Sequence, residues 1–359
     1  MSRTILLNPG PVTLTERVRQ SLLRPDMCHR EADFAAMLTS IKERLRSIYT
    51  APAHEAVLLT GSGTAAVEAM LATFAPRRAS TLVATNGVYG ERMAAMLAAQ
   101  GKPHRTLEGA WTEGLDLPTI EAALHDPDIT HVAAVHHETT TGRLNEAHAL
   151  ADLCARHGRA LLLDAVSSFG GEDVPVAQCL AVAATANKCL HGVPGVAFVM
   201  ADTAALEHGD PVSPTVYLDL RRYHREQQHG FSPFTMAVHA CFALDEALTE
   251  LSDEGGWAER RTVYRKRSAR VREALAVAGL EPLVPDGQRA SMLTAWPLPN
   301  GLPYEALHAA MRKAGFVIYA GQGALAGHIF RIATMGAIGD DDLARLVEAL
   351  RSVCDTPCR

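Results

Sequence analysis

The chain has 359 residues, of which 48% are hydrophobic and 21% are charged, and it carries a formal net charge of −6. This composition is typical of a globular enzyme with a sizeable core, and the length favours two domains over one. The negative charge argues against a nucleic-acid-binding surface, and no stretch approaches the roughly 20 apolar residues of a membrane span.

The N-terminus lacks the apolar run of a signal peptide, and the seven cysteines include no Cys-x-x-Cys pair. Both features predict a cytoplasmic protein with reduced thiols, and we expect no metal site. Residues 1–15 are expected to form an extended arm, because Asn8-Pro9-Gly10-Pro11 is incompatible with a helix.

Residues 16–254 alternate between strand-like and helix-like segments, which predicts a large α/β domain with a mostly parallel sheet covered by helices. The strand-like runs are 56–60, 81–85, 131–136, 160–164, 181–185 and 196–200. The helical patterns between them include 63–74, 88–100, 117–125 and 146–157. Ligands of such sheets bind at the C-terminal ends of the strands. The polar residues expected at that edge are Thr60, Glu138, Asp164 and Lys188.

A further helical stretch over about 236–251 leads to Gly255-Gly256, where we expect a domain boundary. Residues 255–359 are then predicted to form a smaller α+β domain. Its helices are expected over 257–279, 303–315 and 340–353, and its strands over 290–296, 316–320 and 328–332.

Lys188 and Asp164 both follow short apolar runs. A lysine charge is costly to bury, so a lysine at a strand end usually either reaches water or takes part in chemistry. An acid at the end of a buried strand can keep a pyridine nitrogen protonated. Taken alone, Asp164 is explained equally well as an acidic loop residue or a helix cap.

Gly61-Ser62-Gly63-Thr64 precedes a helical pattern. Glycines let the backbone approach a phosphate, and the free N–H groups and dipole of a helix N-terminus favour a dianion. Taken alone, the motif is more often a simple turn with a capping hydroxyl. The ordered combination of this motif with Asp164 and Lys188 predicts a site for pyridoxal phosphate.

Three further residues are candidates for this site. Tyr89 can stack on the pyridine ring, although core packing explains it equally well. Thr139 carries a hydroxyl that can bond the cofactor, or it is an ordinary polar strand end. Arg331 interrupts an apolar strand and suits a substrate carboxylate, the alternative being a surface arginine in a salt bridge.

Over nearly the whole chain, these residues resemble the class V aminotransferases of fold type I, and within them the 2-aminoethylphosphonate–pyruvate transaminase family. The motifs that carry the resemblance are Asn8-Pro-Gly-Pro-Val12, Cys28-His-Arg-Glu-Ala-Asp-Phe34, Gly61-Ser-Gly-Thr64, Asn86-Gly-Val-Tyr-Gly-Glu-Arg92, Glu138-Thr-Thr-Thr-Gly142, Asp164-Ala-Val-Ser-Ser-Phe-Gly-Gly171 and Asn187-Lys-Cys-Leu-His-Gly-Val-Pro-Gly195.

The resemblance implies roles for most of the candidate residues. Lys188 would carry the cofactor covalently, and Asp164 would pair with its pyridine nitrogen. Its phosphate would be held by Ser62, Gly63 and Thr64. Thr139 would contact the cofactor, and Arg331 would bind the carboxylate of the 2-oxo acid.

The resemblance also implies a homodimer with shared active sites, in which a threonine of one subunit binds the phosphate of the other subunit's cofactor. At that place this chain has Gly230-Phe-Ser232-Pro-Phe-Thr235. Ser232, or as a second choice Thr235, would therefore take the role of that threonine.

The implied reaction moves the amino group of 2-aminoethylphosphonate, a small-molecule amine, to pyruvate, with Arg30 and Arg92 as candidates for the phosphonate. An alanine–glyoxylate or serine–pyruvate transaminase would use the same catalytic residues. A cysteine desulfurase is disfavoured, because no mobile loop with a cysteine is apparent. A dinucleotide-binding module is disfavoured because no G-x-G-x-x-G follows the first strand. A non-catalytic pyridoxal-phosphate-binding protein is the remaining alternative.

Overall fold

The computed structural model describes residues 3–354, without the side chain of Cys354. Residues 1–2 of the expected arm and 355–359 of the expected small domain lie outside the described part. The strands are β1 Ile5–Leu6, β2 His54–Gly61, β3 Ser80–Thr85, β4 His104–Glu108, β5 Ile129–Val135, β6 His137–Glu138, β7 Arg143–Leu144, β8 Ala160–Asp164, β9 Ala181–Thr185, β10 Gly195–Asp202, β11 Leu293–Pro297, β12 Phe316–Val317, β13 Tyr319–Ala320 and β14 Ile329–Ala333. The helices are α1 Glu16–Ser21, α2 Ala32–Ser47, α3 Gly63–Phe74, α4 Val88–Ala99, α5 Leu117–Leu124, α6 Ala147–Arg156, α7 Thr203–His208, α8 Leu220–Gln227, α9 Val238–Asp253, α10 Trp257–Val277, α11 Tyr304–Lys313 and α12 Asp340–Cys354.

The centre of the fold is a seven-stranded sheet with the order β2-β10-β9-β8-β5-β3-β4. Every neighbouring pair is parallel except the two that β10 makes with β2 and β9. Its inner strands are almost entirely apolar, as in Leu161-Leu162-Leu163, because helices cover both faces of the sheet. The prediction of an α/β fold with a mostly parallel sheet is confirmed.

Strand β10 is antiparallel because of the short connection that precedes it. Residues 186–194 join β9 to β10, and this loop is too short for the helical crossover that a parallel strand requires. The same loop carries Lys188. The chain therefore reverses direction at the lysine instead of passing over the face of the sheet.

A second sheet, with the order β11-β14-β13, is antiparallel and packs against α10, α11 and α12. The strand predicted over 316–320 is two short strands in different sheets. Phe316–Val317 pairs with the N-terminal strand β1, whereas Tyr319–Ala320 pairs with β14. Helix α9 ends at Asp253 and α10 begins at Trp257, so the proposed domain boundary falls in the turn between them.

The N-terminal arm is anchored to this second sheet. Strand β1 pairs with β12 in a separate two-stranded sheet, and the backbone N–H of Ala333, at the end of β14, donates to the carbonyl of Leu7 at 2.6 Å. The arm then continues through Pro9 and Gly10 to Lys188. Within residues 3–354, no helix combines the length and the apolarity needed to cross a membrane.

Candidate active site

The candidate residues meet at the C-terminal edge of the large sheet, where the small sheet faces it. Asp164 is the last residue of β8, and Lys188 follows the end of β9. Their charges act on each other, and the charge of Arg331 in β14 acts on Lys188. The structure therefore brings together residues that lie far apart in the sequence.

The Asp164 carboxyl group is buried and only 6% exposed. One of its oxygens accepts a hydrogen bond from the backbone N–H of Val166 at 2.9 Å. Burial raises the pKa of Asp164 to about 6, although this hydrogen bond and the charges of Arg92 and Lys188 oppose the shift. A cation brought against this carboxyl group would favour its ionised form.

Lys188 is partly exposed at the same edge of the sheet. Burial lowers the pKa of its amine to about 8, with Asp164 acting in the opposite direction. The Nζ atom donates to the backbone carbonyl of Pro9, in the N-terminal arm. With a pKa of about 8, a larger fraction of this amine is neutral near neutral pH than in an ordinary lysine, and only the neutral form can accept a proton.

The Gly61-Ser62-Gly63-Thr64 motif joins the end of β2 to the start of α3. The Ser62 hydroxyl caps the helix by accepting from the N–H of Ala65 at 3.4 Å. A Cβ atom on Gly63 would lie 2.5 Å from Val166, so only glycine lets the helix approach the segment after Asp164 this closely. The first turn of α3 thus lies close to the segment that follows Asp164. Free backbone N–H groups at a helix N-terminus are what an anion-binding site requires.

A cavity of about 30 Å³ lies between α3, α4 and the end of β8. Four of the candidate residues line it, namely Gly63, Thr64, Tyr89 and Asp164. Arg92 lines it as well, with its guanidinium 4.8 Å from the centroid of the Tyr89 ring and 3.5 Å from the Thr64 hydroxyl. Arg30, by contrast, is exposed in the segment that precedes α2.

The sequence indicates no role for Glu138, but in the structure its side chain connects two segments of the site. Its buried carboxylate accepts from the backbone N–H groups of Tyr89 and Thr140, each at 3.1 Å. A Cβ atom on Gly87 would collide with this carboxylate. Burial raises the pKa of Glu138 to about 7. Glu138 therefore holds the start of α4 against the segment that contains Thr139 and Thr140. This contact is not visible in the sequence, because Tyr89 and Glu138 lie 49 residues apart.

Arg331 is completely buried, which excludes the alternative that it is a surface arginine in a salt bridge. Its Nε and Nη2 atoms donate to the carbonyl of Ala320 at 2.9 and 2.6 Å. Its Nη1 atom donates to the carbonyl of Thr139 at 2.8 Å and to the side-chain oxygen of Gln322 at 3.4 Å. The guanidinium thus spans the two sheets and fixes Thr139 beside the candidate cofactor site.

The two candidates for a cross-subunit ligand differ in exposure. Ser232 is 1% exposed, and its hydroxyl has no hydrogen-bond partner among the described residues. Thr235 is exposed, and its carbonyl accepts from the Thr60 hydroxyl at 3.3 Å. A ligand for the site of another subunit must lie at the surface of its own chain, so the burial favours Thr235 over the first choice, Ser232.

The arrangement fits pyridoxal phosphate on three counts. The amine of Lys188 is partly neutral near physiological pH, and the buried Asp164 carboxyl gains from a cationic partner. The open N-terminus of α3 suits a phosphate. No group of histidines, cysteines or acids able to hold a metal ion occurs in the part of the chain that the structure describes.

Comparison with known proteins agrees with this chemistry. Residues 17–333 match the family model described as aminotransferase class-V. A 2-aminoethylphosphonate–pyruvate transaminase of Syntrophobacter fumaroxidans is 37% identical over 355 residues, covering 97% of this chain and 95% of that protein.

Solved structures extend the similarity to the whole fold. An alanine–glyoxylate aminotransferase of Nostoc sp. has a TM-score of 0.90 at 26% identity and covers 98% of this chain and 96% of its own. An aspartate aminotransferase of subgroup IV from Thermus thermophilus has a TM-score of 0.88 at 28% identity, covering 98% and 99%.

Proposed function

The chain belongs to the class-V aminotransferase family, and from this membership we propose that it moves the amino group of 2-aminoethylphosphonate to pyruvate. The products are phosphonoacetaldehyde and alanine, as in phosphonate degradation. The observation that carries the proposal is the convergence of Lys188, Asp164 and Arg331 on one edge of the sheet. The 37% identity with a transaminase of this name supports the choice of substrates.

The proposed cofactor is pyridoxal phosphate, which supplies an electron sink for the bond that breaks in the substrate. Ser62, Gly63 and Thr64 hold its phosphate, and the Tyr89 ring and Thr139 contact it. The Asp164 carboxylate would keep the pyridine nitrogen of the cofactor protonated. Lys188 would hold the cofactor through its amine, and this amine would take the proton from the substrate carbon that bears the amino group.

In this proposal, Arg331 binds the carboxylate of the acceptor, pyruvate. Pyruvate carries a carboxylate, whereas 2-aminoethylphosphonate carries none, so a guanidinium on β14 matters most in the second half-reaction. Arg92 is the better candidate for the phosphonate, because it lines the cavity beside Tyr89 whereas Arg30 is exposed. The active unit is proposed to be a homodimer in which Thr235, or else Ser232, reaches the partner's cofactor phosphate.

The nearest rival is an alanine–glyoxylate or serine–pyruvate transaminase, and the similarity to the Nostoc enzyme keeps this alternative open. The purified, cofactor-loaded protein can be tested with 2-aminoethylphosphonate, alanine or serine as donor and pyruvate or glyoxylate as acceptor. Alanine formed from 2-aminoethylphosphonate and pyruvate is the expected result. Turnover of alanine with glyoxylate, with no reaction of 2-aminoethylphosphonate, would favour the rival.

A further inference from the structure

The guanidinium of Arg331 has contacts of two kinds. An arginine has five N–H donors. Three of the hydrogen bonds of Arg331 go to the backbone carbonyls of Ala320 and Thr139, at 2.6 to 2.9 Å, and these hold the guanidinium in place. The fourth goes to the side-chain oxygen of Gln322 at 3.4 Å. That contact is the longest of the four, and it involves a side chain that is able to move away.

A substrate carboxylate binds an arginine best through two parallel hydrogen bonds to one edge of the guanidinium. The Nε–Nη2 edge is already taken by the carbonyl of Ala320. A carboxylate must therefore use Nη1, where the amide oxygen of Gln322 now lies. A charged oxygen forms a stronger bond than a neutral amide at 3.4 Å, so the exchange favours the substrate.

The carboxylate cannot reach Arg331 unless part of the protein moves, because this side chain has no exposed surface. The covering segment is 321–328, which joins β13 to β14 and contains Gln322. It has glycines at 321, 323 and 327, the last two with positive φ values of 53° and 74°. Several of its backbone hydrogen bonds are internal, such as Ala326 N–H to Gly323, so they are kept if the segment moves as a unit.

The tip of segment 321–328 rests on the large domain. A Cβ atom on Gly323 would lie 2.5 Å from Cη2 of Trp111 and 3.6 Å from Val88. Trp111 is itself fixed, because its indole N–H donates to the carboxylate of Glu91 at 2.9 Å. Val88 directly precedes Tyr89, so the tip of the segment lies next to the part of the candidate cofactor site that contains Tyr89.

We infer that Gln322 sets the affinity for the 2-oxo acid by occupying Arg331 until the substrate carboxylate displaces it, with segment 321–328 moving as it does so. This inference rests on the proposed aminotransferase function. It gives Gln322 a role opposite to that of a substrate ligand. Its amide competes with the acceptor and is released when the acceptor binds.

Two substitutions at this position have opposite expected effects. Gln322→Ala removes the competing amide, so the KM for pyruvate should fall, by about threefold to tenfold for one displaced hydrogen bond. Gln322→Glu places a carboxylate against Arg331, so the KM for pyruvate should rise roughly tenfold or more. The single-turnover rate with 2-aminoethylphosphonate should stay near the wild-type value in both. His328→Ala, an exposed change in the same segment, is the matched control and should leave the KM unchanged.

Calorimetric titration of the loaded enzyme with propionate, a carboxylate that is not turned over, separates this inference from the proposed function. The expected order of affinity is Gln322→Ala above wild type above Gln322→Glu. The same order in a protein that does not use pyruvate would reject the proposed acceptor and support the role of Gln322. Weaker binding of pyruvate and propionate by Gln322→Ala would make Gln322 a substrate ligand and overturn the inference. Unchanged binding in both variants would overturn it as well.

Discussion

Asp164 and Lys188 both lie where burial disfavours the charged form of the side chain. Burial raises the pKa of Asp164 to about 6 and lowers the pKa of Lys188 to about 8. Without a cofactor, an ionised carboxylate at this position costs folding free energy. Under the proposed function, these two positions give up folding free energy for the chemistry of the site.

The first prediction concerns the stability of the cofactor-free protein. The folded pKa of Asp164, about 6, lies above its ordinary value of 3.8, so wild-type stability is lost as the pH rises from about 4 through about 6. Asp164→Asn does not ionise and should be more stable than wild type at pH 8, by about 3 kcal/mol. The difference should shrink towards zero near pH 4. Denaturant unfolding at several pH values measures it.

Asp128→Asn removes the same charge from an exposed position and should show no such pH-dependent gain. The same Asp164→Asn protein should lose pyridoxal phosphate faster than wild type on dialysis. Equal free energies of unfolding for Asp164→Asn and wild type at pH 8 would show that ionisation of the Asp164 carboxyl group does not destabilise the folded protein.

The second prediction concerns the geometry of Arg331. Arg331→Lys keeps the positive charge but loses the planar guanidinium, whose Nε and Nη2 atoms bind Ala320 while Nη1 is left for a carboxylate, so the KM for pyruvate should rise roughly tenfold or more. The single-turnover reaction of the loaded enzyme with 2-aminoethylphosphonate should suffer less, since this donor has no carboxylate. Steady-state and stopped-flow measurements separate the two effects. An equal loss in both half-reactions would mean that Arg331 binds the two substrates alike.

At the scale of elements, the N-terminal arm connects the small sheet to the loop of residues 186–194, which carries Lys188. Strand β1 pairs with β12, and the following residues place the carbonyl of Pro9 against the Lys188 amine. Gly10 lies at φ +113°, and a Cβ atom there would collide with the Lys188 side chain. The arm therefore sets where the Lys188 side chain lies in the cofactor-free protein.

The third prediction is that Gly10→Ala displaces Lys188 and slows the covalent attachment of pyridoxal phosphate to the cofactor-free protein. Gly101→Ala is a matched control, because Gly101 also has a positive φ, of 64°, but has nothing within 4 Å of the added Cβ atom. The absorbance change on adding the cofactor gives both rates. Indistinguishable rates in the two variants would show that the contact at Gly10 has no effect on Lys188.

The sequence predicted the structure best where a continuous apolar run or a helix with a capping residue was present. The segments 63–74, 160–164 and 181–185 have the predicted bounds, because buried strands and a capped helix are encoded locally. Strand β4 was missed because it is an edge strand with mostly polar, exposed residues. Helix α2 was also missed, although its buried Phe34, Leu38, Ile41 and Leu45 have helical spacing.

Contacts between distant segments could not be predicted. The pairing of β1 with β12 joins residues at opposite ends of the chain. Glu138 was expected at the sheet edge, but its bond to the N–H of Tyr89 depends on how β6 packs against the start of α4. For Arg331, the side-chain type indicated a carboxylate site. Its hydrogen bonds to Ala320 and Thr139 follow only from the docking of the two sheets.

At the scale of the whole molecule, the proposal requires two chains. The fourth prediction is that the protein sediments as a homodimer at assay concentrations. Thr235→Ala should raise the dissociation constant for pyridoxal phosphate more than Ser232→Ala does, because only Thr235 is exposed on the single chain. Equilibrium titration of the cofactor measures both variants. A fully active monomer would reject shared sites, and a larger effect of Ser232→Ala would restore the first choice.

The most direct test of the central claim is a pair of single-turnover reactions in the loaded enzyme. With 2-aminoethylphosphonate and no acceptor, wild type should release phosphonoacetaldehyde equimolar with its subunits and then stop. Subsequent addition of pyruvate should yield an equimolar amount of alanine. Lys188→Ala should still bind the cofactor through the N-terminus of α3 and should fail to sustain turnover. Turnover by Lys188→Ala at the wild-type rate, or continuous aldehyde release by wild type without an acceptor, would contradict a transaminase that works through this lysine.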